Sequence, residues 1–156
     1  MNIVSLLPSA TEIVCALGLR ERLVAVTHEC DYPPDVAALP KATRTRVPAD
    51  APSRVIDELV RAQMRGRQAL YSLNLDVLQR VRPDLIVTQA LCDVCAVAEA
   101  EVTDAACTLP GQPRVLNLEP MTLDQVLDGM RAVGEAAGCP ERARDVVAGY
   151  RRRIDG

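Results

Sequence analysis

Aromatic side chains are almost missing from this chain. Its 156 residues contain no Phe, no Trp and only three Tyr, which are Tyr32, Tyr71 and Tyr150. An interior without aromatic rings must be built from aliphatic side chains, and an apolar content of 49% is enough for one globular domain. Few rings remain to stack on a ligand, so a flat ligand would be covered mainly by aliphatic and polar groups.

Long apolar runs and basic stretches are missing as well. The apolar runs are too short to span a membrane, and the N-terminus lacks the basic and apolar segments of a signal peptide. We therefore expect a cytoplasmic protein, or one whose export signal lies outside this chain. The net charge of -3 and the lack of a basic patch argue against a nucleic-acid partner. Without a secretory signal, the six cysteines are not expected to form a disulfide framework.

Four short apolar runs predict the strands of a sheet. They are Ile3–Leu7, Leu23–Val26, Leu85–Thr88 and Arg114–Leu118. A helical pattern between the first two completes a strand–helix–strand unit, and such units build parallel sheets. The pattern therefore predicts an α/β fold with a Rossmann-like parallel sheet flanked by helices.

Capping residues and glycines predict where the helices begin and end. Ser9 and Glu12 have the spacing of a capping box, and Gly18 would end that helix. Thr122 and Gln125 repeat this spacing before a helical pattern that runs to Gly138. Further helices are predicted to begin at Ser53, Asn74, about Asp93 and Pro140, and a loop is expected from Asp31 to Asp50.

Two pairs of soft metal ligands follow predicted strands. His28 and Cys30 would point to the same side if the backbone between them were extended. Cys92 and Cys95 form a C-x-x-C at a predicted helix start, a position that lowers the pKa of a thiol. Ligands bind at the carboxyl ends of parallel strands, so both pairs are expected on one rim. Together they would make a Cys3His zinc set, provided that the strand order brings the two loops together.

Other side chains on the same rim are candidates for ligand contact. Pro8 and Ser9 lie at the start of the first helix, where free N–H groups can bind a ligand. Tyr32 is the only aromatic residue predicted on the rim and could cover a flat ring. Gln89 ends a strand and could form hydrogen bonds. A catalytic triad, a P-loop and a G-x-G-x-x-G motif are all missing from the sequence, so we do not expect an enzyme.

Three stretches carry a family resemblance. They read IVSLLPSATEI at 3–13, THECDYP at 27–33 and TQALCDVCAV at 88–97. The chain resembles the substrate-binding proteins of ABC importers for cobalamin and iron-siderophores, the helical-backbone metal receptors, and among them a cobalamin-binding-like subgroup. This resemblance implies two α/β lobes joined by a long helix, with the ligand between them. Residues 1–138 would be the N-terminal lobe and 139–156 the start of the inter-lobe helix, with the second lobe absent.

The resemblance also implies a function. A cobalamin-like corrinoid or a related metal chelate would be bound without catalysis by the substrate-binding component of an ABC importer. The ligand contacts would come from Pro8, Ser9, Tyr32, Gln89 and Cys92. An ABC permease would be the partner, and such proteins are usually periplasmic or attached to the cell surface.

Two other interpretations remain open at this point. In the first, His28, Cys30, Cys92 and Cys95 form a zinc site, or the C-x-x-C cycles between dithiol and disulfide. In the second, the chain is an interaction domain that forms a homodimer through its terminal helix. The apolar face of that helix has no later element in this chain to cover it; its members are Ala143, Val146, Val147, Tyr150 and Ile154.

Overall fold

The computed structural model describes residues 1–45, 51–65, 71–89, 97 and 99–156. Its strands are β1 (Ile3–Ser5), β2 (Leu23–Val26), β3 (Thr43–Thr45), β4 (Tyr71–Leu73), β5 (Leu85–Thr88) and β6 (Arg114–Asn117). Its α-helices are α1 (Pro8–Ala16), α2 (Ser53–Arg65), α3 (Leu75–Val81), α4 (Glu99–Thr108), α5 (Leu123–Ala136) and α6 (Pro140–Asp155). Short 3-10 helices cover Arg20–Arg22 and Pro34–Ala38.

A four-stranded parallel sheet with the order β2-β1-β5-β6 forms the centre of the fold. All four predicted strands are confirmed, and β2 and β5 have the predicted bounds. Their apolar runs are nearly continuous because helices cover both faces of the sheet. Ile3 and Val87 belong to a core that includes residues of α1 and α5, whereas Val4 and Ile86 belong to a core with residues of α3 and α4. The predicted α/β fold is therefore confirmed.

The first helix begins earlier than its predicted capping box. Pro8 is its first residue and Leu7 is its N-cap, so the prediction that Ser9 caps the helix is wrong. Proline is well suited to the first helical position because its fixed φ matches the helix and its missing N–H would have no partner there. Ser9 is thereby placed in the first turn, with its side chain exposed.

The predicted end of α1 and both predicted ends of α5 agree with the structure. Thr122 and Gln125 form the predicted capping box at the start of α5. Gly18 and Gly138 follow α1 and α5 with φ angles of 66° and 73°, a left-handed conformation that glycine adopts at low cost. In the part of the chain that the structure describes, none of the helices is long and apolar enough to cross a bilayer.

Two regions differ from the sequence-based prediction. The predicted loop from Asp31 to Asp50 contains β3, which pairs with β4 in an antiparallel ribbon beside the main sheet. This strand has three residues and two of them are exposed, so it lacks the alternation that marks longer strands. In the helix predicted from about Asp93, Val97 is buried and not helical and α4 spans Glu99–Thr108, whereas the predicted start lies outside the described residues.

The terminal helix packs along α5. Gly134 lies so close to Ala143 that a Cβ atom on the glycine would overlap the alanine Cβ. Val147 completes this contact by packing against Leu127 and Met130 of α5. Two arginines bind carbonyl groups at the C-terminal ends of α1 and α5, where positive charge is favoured. Arg142 donates to the carbonyls of Leu17 and Gly18 after α1, and Arg22 donates to the carbonyl of Ala137 after α5.

Candidate functional site

The carboxyl ends of the four parallel strands lie along one edge of the sheet, which we call the rim. It carries the segments after β1, β2, β5 and β6, namely 6–9, 27–33, 89 and 118–120. Because β1 lies inside the sheet, the start of α1 is placed near the middle of the rim. Open α/β sheets bind ligands at this edge, where the loops leave room between strand ends.

A cavity of about 360 Å³ opens at the rim beside the ends of β5 and β6. We call it the rim cavity. Ser9, Gln89, Asn117 and Glu119 supply polar groups, and the first two turns of α5 close the opposite side with Gln125, Val126, Asp128 and Gly129. The cavity therefore receives polar groups from both the sheet edge and α5, and apolar side chains such as Leu7, Ile13 and Leu118 complete its lining, a mixture that small-molecule sites usually show.

A second, larger depression of about 570 Å³ runs between α1, α5 and α6. We call it the helix groove. It shares Ser9, Ile13 and Val126 with the rim cavity, so the two are neighbours along one surface. Leu123 and Val126 are apolar residues of α5, and both are exposed along this surface. The apolar stripe of α5 thus extends beyond what α6 covers.

The structure brings some of the predicted contact residues together. Ser9 lines both the rim cavity and the helix groove, Gln89 lines the first and Tyr32 lines the second. The Tyr32 side chain is 63% exposed and its peptide bond to Pro33 is cis. Pro8 lines a separate small pocket beside the ribbon of β3 and β4. Cys92 lies outside the described residues.

His28 and Cys30 do not share the extended geometry expected from their spacing. They lie in a turn, in which the Cys30 N–H donates to the Thr27 carbonyl at 3.2 Å. A turn places successive side chains differently from a strand, so the extended backbone that would have placed both side chains on one side is not present at this position. His28 contacts Thr43 and Tyr71 of the ribbon, whereas Cys30 contacts Thr11 of α1.

The His28 ring is held by the β3–β4 ribbon. Its Nδ1 lies 2.8 Å from Thr43 Oγ1, and its ring centroid lies 5.2 Å from that of Tyr71. The Tyr71 hydroxyl in turn donates to Glu29 Oε1 at 3.0 Å. Burial lowers the pKa of His28, although the neighbouring Glu29 partly offsets this effect. His28 therefore links the end of β2 to the ribbon, and its burial favours the neutral form of the ring.

Cys30 is a packed core thiol. Its side chain is 3% exposed, and Sγ lies 3.0 Å from Thr11 Oγ1. Burial raises the pKa of the Cys30 thiol, which favours the protonated form over the thiolate that metals and disulfide exchange require. Cys30 thus fills the space under α1 in this structure.

The strand order bears on the predicted zinc set. β1 lies between β2 and β5, so the loops after β2 and β5 start two strand spacings apart, about 10 Å. Cys92 and Cys95 lie outside the described residues. Among the residues that are described, no group of three or more His, Cys, Asp and Glu side chains is placed to hold a metal ion. The Cys3His set stays a prediction.

Two buried polar atoms at the rim have no hydrogen-bond partner within the described structure. Thr88 Oγ1 and Asn117 Oδ1 belong to residues that face each other across β5 and β6. The Asn117 amide nitrogen donates to Glu99 of α4. Because most buried polar atoms in proteins are paired, this pair indicates where water or a ligand group would be bound.

The family follows from the whole length of the chain. A model of the periplasmic binding protein family matches residues 3–156. The chain belongs to the periplasmic binding protein family. A vitamin B12-binding protein of Vibrio cholerae is 24% identical over 153 residues, which are 98% of this chain and 44% of that protein.

Solved structures of periplasmic binding proteins share the fold. The periplasmic vitamin B12-binding protein of Vibrio cholerae superposes with a TM-score of 0.69 at 22% identity, over 99% of this chain and 48% of that chain. A periplasmic heme-binding protein of Roseiflexus sp. RS-1 gives a TM-score of 0.69 at 23% identity, over 99% of this chain and 47% of that chain. The chain thus spans about half the length of the relatives it matches, and the resemblance noted in the sequence is confirmed.

Some features of this periplasmic binding protein site were not predicted from the sequence. The contacts of His28 with Thr43 and Tyr71 depend on a ribbon that the sequence did not reveal. The contribution of α5 to both cavities was also missed. One signal was available for it, because Leu123 and Val126 are apolar residues in the first turn of a helix that begins shortly after the predicted strand Arg114–Leu118.

Proposed function

We propose that this chain is the N-terminal lobe of the solute-binding component of an ABC importer, and that it binds a cobalamin-like corrinoid or a related metal chelate. The rim cavity, which adjoins the helix groove at Ser9, is the observation that carries this proposal. It lies at the edge of the sheet where open α/β folds bind ligands. Membership of the periplasmic binding protein family and the similarity to a vitamin B12-binding protein support it.

The described side chains suggest how such a ligand would be held. The exposed Tyr32 ring and the apolar side chains of Leu123 and Val126 would cover a flat face. Gln89 and the free N–H groups at the start of α1 would bind polar groups at the ligand edge. All these contacts are non-covalent, so the ligand would leave unchanged and the protein would not act as an enzyme.

The length of the relatives supports a two-lobed arrangement. In this proposal, residues 1–138 form one lobe, and 139–156 begin the helix that leads to a second lobe. α6 starts at Pro140, which fits that boundary. The open side of the rim cavity would be closed by the second lobe, which would exclude water from the ligand. A permease would then receive the ligand, which requires that the protein acts outside the cytoplasmic membrane, in the periplasm or on the cell surface.

Equilibrium dialysis of the 156-residue chain against cyanocobalamin tests the proposal. We expect saturable binding at micromolar or weaker affinity, since one lobe supplies only part of the contacts. Gln89→Ala should weaken binding roughly threefold to tenfold, because it removes about one hydrogen bond. Gln79→Ala on α3 is the matched control, because this exposed glutamine does not line either cavity.

A second titration separates direct metal ligation from binding through the periphery. Aquocobalamin changes its visible bands when a side chain displaces its axial water. A band shift that is lost in His28→Ala would assign this histidine as an axial ligand, whereas binding without a shift would keep the proposal and remove ligation. Lack of saturable binding, combined with one zinc per chain, would instead favour the Cys3His module.

A further inference from the structure

The charged side chains along the two cavities share one sign. Glu119 and Asp128 line the rim cavity and Glu12 lines the helix groove. Among the described lining residues of both cavities, none is Lys, Arg or His. Asp128 is partly neutralised by Arg131 at 2.5 Å, but the latter lines a separate cavity. The lining residues that the structure describes therefore offer carboxylates to a ligand, whereas Arg151 and Arg153 beside the helix groove contact Asp124 and the Tyr150 ring.

Two basic groups at the β2 end of the rim are already used by the fold. Lys41 Nζ donates to the Cys30 carbonyl at 3.3 Å. The His28 ring is held against Thr43 and Tyr71, with its Nδ1 atom 2.8 Å from Thr43 Oγ1. Neither group lines the rim cavity or the helix groove. The residues that line the two cavities thus include carboxylates but no basic side chain.

The amide of Asn117 places a buried acceptor beside the rim cavity. A carboxylate can only accept hydrogen bonds, so the Asn117 NH2 group must face Glu99. Its Oδ1 atom is consequently fixed as an acceptor, and within the described residues it lacks a donor. A ligand that brings an N–H group to this strand end would satisfy it.

The start of α1 provides a positive end, but a weak one. A helix N-terminus corresponds to about half a unit of positive charge. This value is smaller than the charge of the three carboxylates on the two cavities, even after Arg131 is counted. Its N–H groups can also bind neutral carbonyl oxygens. The helix end therefore accommodates amides as well as anions.

We propose that this rim selects metal chelates whose periphery is uncharged and rich in N–H donors, such as a corrin with carboxamide side chains, over chelates that carry carboxylates. The proposal rests on the proposed function and names the ligand class for the same site. It separates the two kinds of ligand named for the relatives, since vitamin B12 carries carboxamides and heme carries two carboxylates. The discrimination comes from electrostatic repulsion and from the unpaired acceptor.

Two corrins with the same ring provide the test. Dicyanocobinamide carries carboxamides and dicyanocobyrinic acid carries carboxylates, so both are dialysed against the chain at neutral pH. We expect the carboxamide form to bind at least about tenfold more tightly at low salt, which corresponds to about 1.4 kcal/mol. Near 1 M salt, where charges are screened beyond about 3 Å, this ratio should shrink.

Variants assign the discrimination to the rim. Glu119→Gln should reduce the ratio of the two corrin affinities severalfold, because dicyanocobyrinic acid should bind more tightly to this variant. Asp104→Asn removes an exposed carboxylate of α4 that does not line either cavity, and it should leave the ratio unchanged. This inference alone is overturned if dicyanocobyrinic acid binds as tightly as dicyanocobinamide or more tightly. It is also overturned if the affinity ratio changes with neither salt nor Glu119→Gln. Failure of both corrins to bind overturns the proposed function as well.

Discussion

A methyl group added at Gly134 should push α6 away from α5. The Cβ of an alanine at this position would overlap the Cβ of Ala143, and one of the helices must shift. Overpacking of this kind costs about 1–3 kcal/mol. Alanine in place of glycine also favours the helix by about 0.8–1 kcal/mol, so the net destabilisation should reach at most about 2 kcal/mol.

Gly129 offers the matched control on the same helix. A Cβ atom there would lie 3.5 Å from Leu118 Cδ2, which is an ordinary van der Waals contact. Gly129→Ala should therefore keep the helix gain and stabilise the fold by about 0.5–1 kcal/mol. The two variants share the same chemical change, so the difference between their unfolding free energies isolates the steric cost, which we expect to be about 1–3 kcal/mol.

Urea unfolding followed by far-ultraviolet circular dichroism measures this difference. For a chain of this length, each kcal/mol also moves the melting temperature by about 2–4 °C. Adding Ala143→Gly should remove the penalty of Gly134→Ala, and a double-mutant cycle would show the coupling. If Gly134→Ala were as stable as Gly129→Ala, or if Ala143→Gly did not rescue it, the close approach of α5 and α6 would be refuted.

Three further predictions concern groups in or near the rim and the terminal helix. Burial lowers the pKa of His28, so the unfolded chain binds more protons than the folded one below about pH 6.5. The free energy of unfolding, measured with urea at each pH, should therefore fall as the pH drops below about 6.5, and it should fall less in His28→Asn. Maleimide labelling followed by peptide mass spectrometry should modify the exposed Cys107 quickly and the buried Cys30 only on unfolding, and equally fast labelling would contradict the buried thiol. The homodimer through α6 stays a prediction. Light scattering should then give twice the chain mass, and Ile154→Glu, at an exposed residue of α6, should reduce the measured mass towards that of one chain. A monomeric mass for the unmodified chain would contradict the dimer.

The strands of the main sheet could be predicted because burial on both faces leaves a simple signal. Leu23–Val26 and Leu85–Thr88 are short apolar runs between polar segments, and the structure reproduces both bounds. The ribbon was missed because Thr43–Thr45 and Tyr71–Leu73 are three residues each and are stabilised by pairing across a long sequence separation. Such pairing leaves no local periodicity for sequence analysis to detect.

The order of the strands decided what the sequence could say about the site. Ser9 and Gln89 were placed on the rim by rules that hold for any parallel sheet, and the structure places both on the rim cavity. Whether the loops of β2 and β5 touch depends on β1 lying between them, and order is a property of the whole sheet. The turn at Thr27–Cys30 likewise follows from backbone hydrogen bonding that the spacing of His28 and Cys30 does not encode.

The residues that carried the family resemblance at 27–33 have structural roles in this chain. Cys30 is buried under α1 beside Thr11, and His28 joins the end of β2 to Thr43 of the ribbon. Both contacts fix the backbone that presents Tyr32 at the edge of the helix groove. If the histidine and cysteine serve chiefly to hold this loop, their replacement should alter the position of Tyr32 and weaken ligand binding without changing the axial ligands of the cobalt. The visible bands of bound aquocobalamin, compared between the unmodified chain and His28→Asn, therefore distinguish a ligating histidine from one that positions the loop.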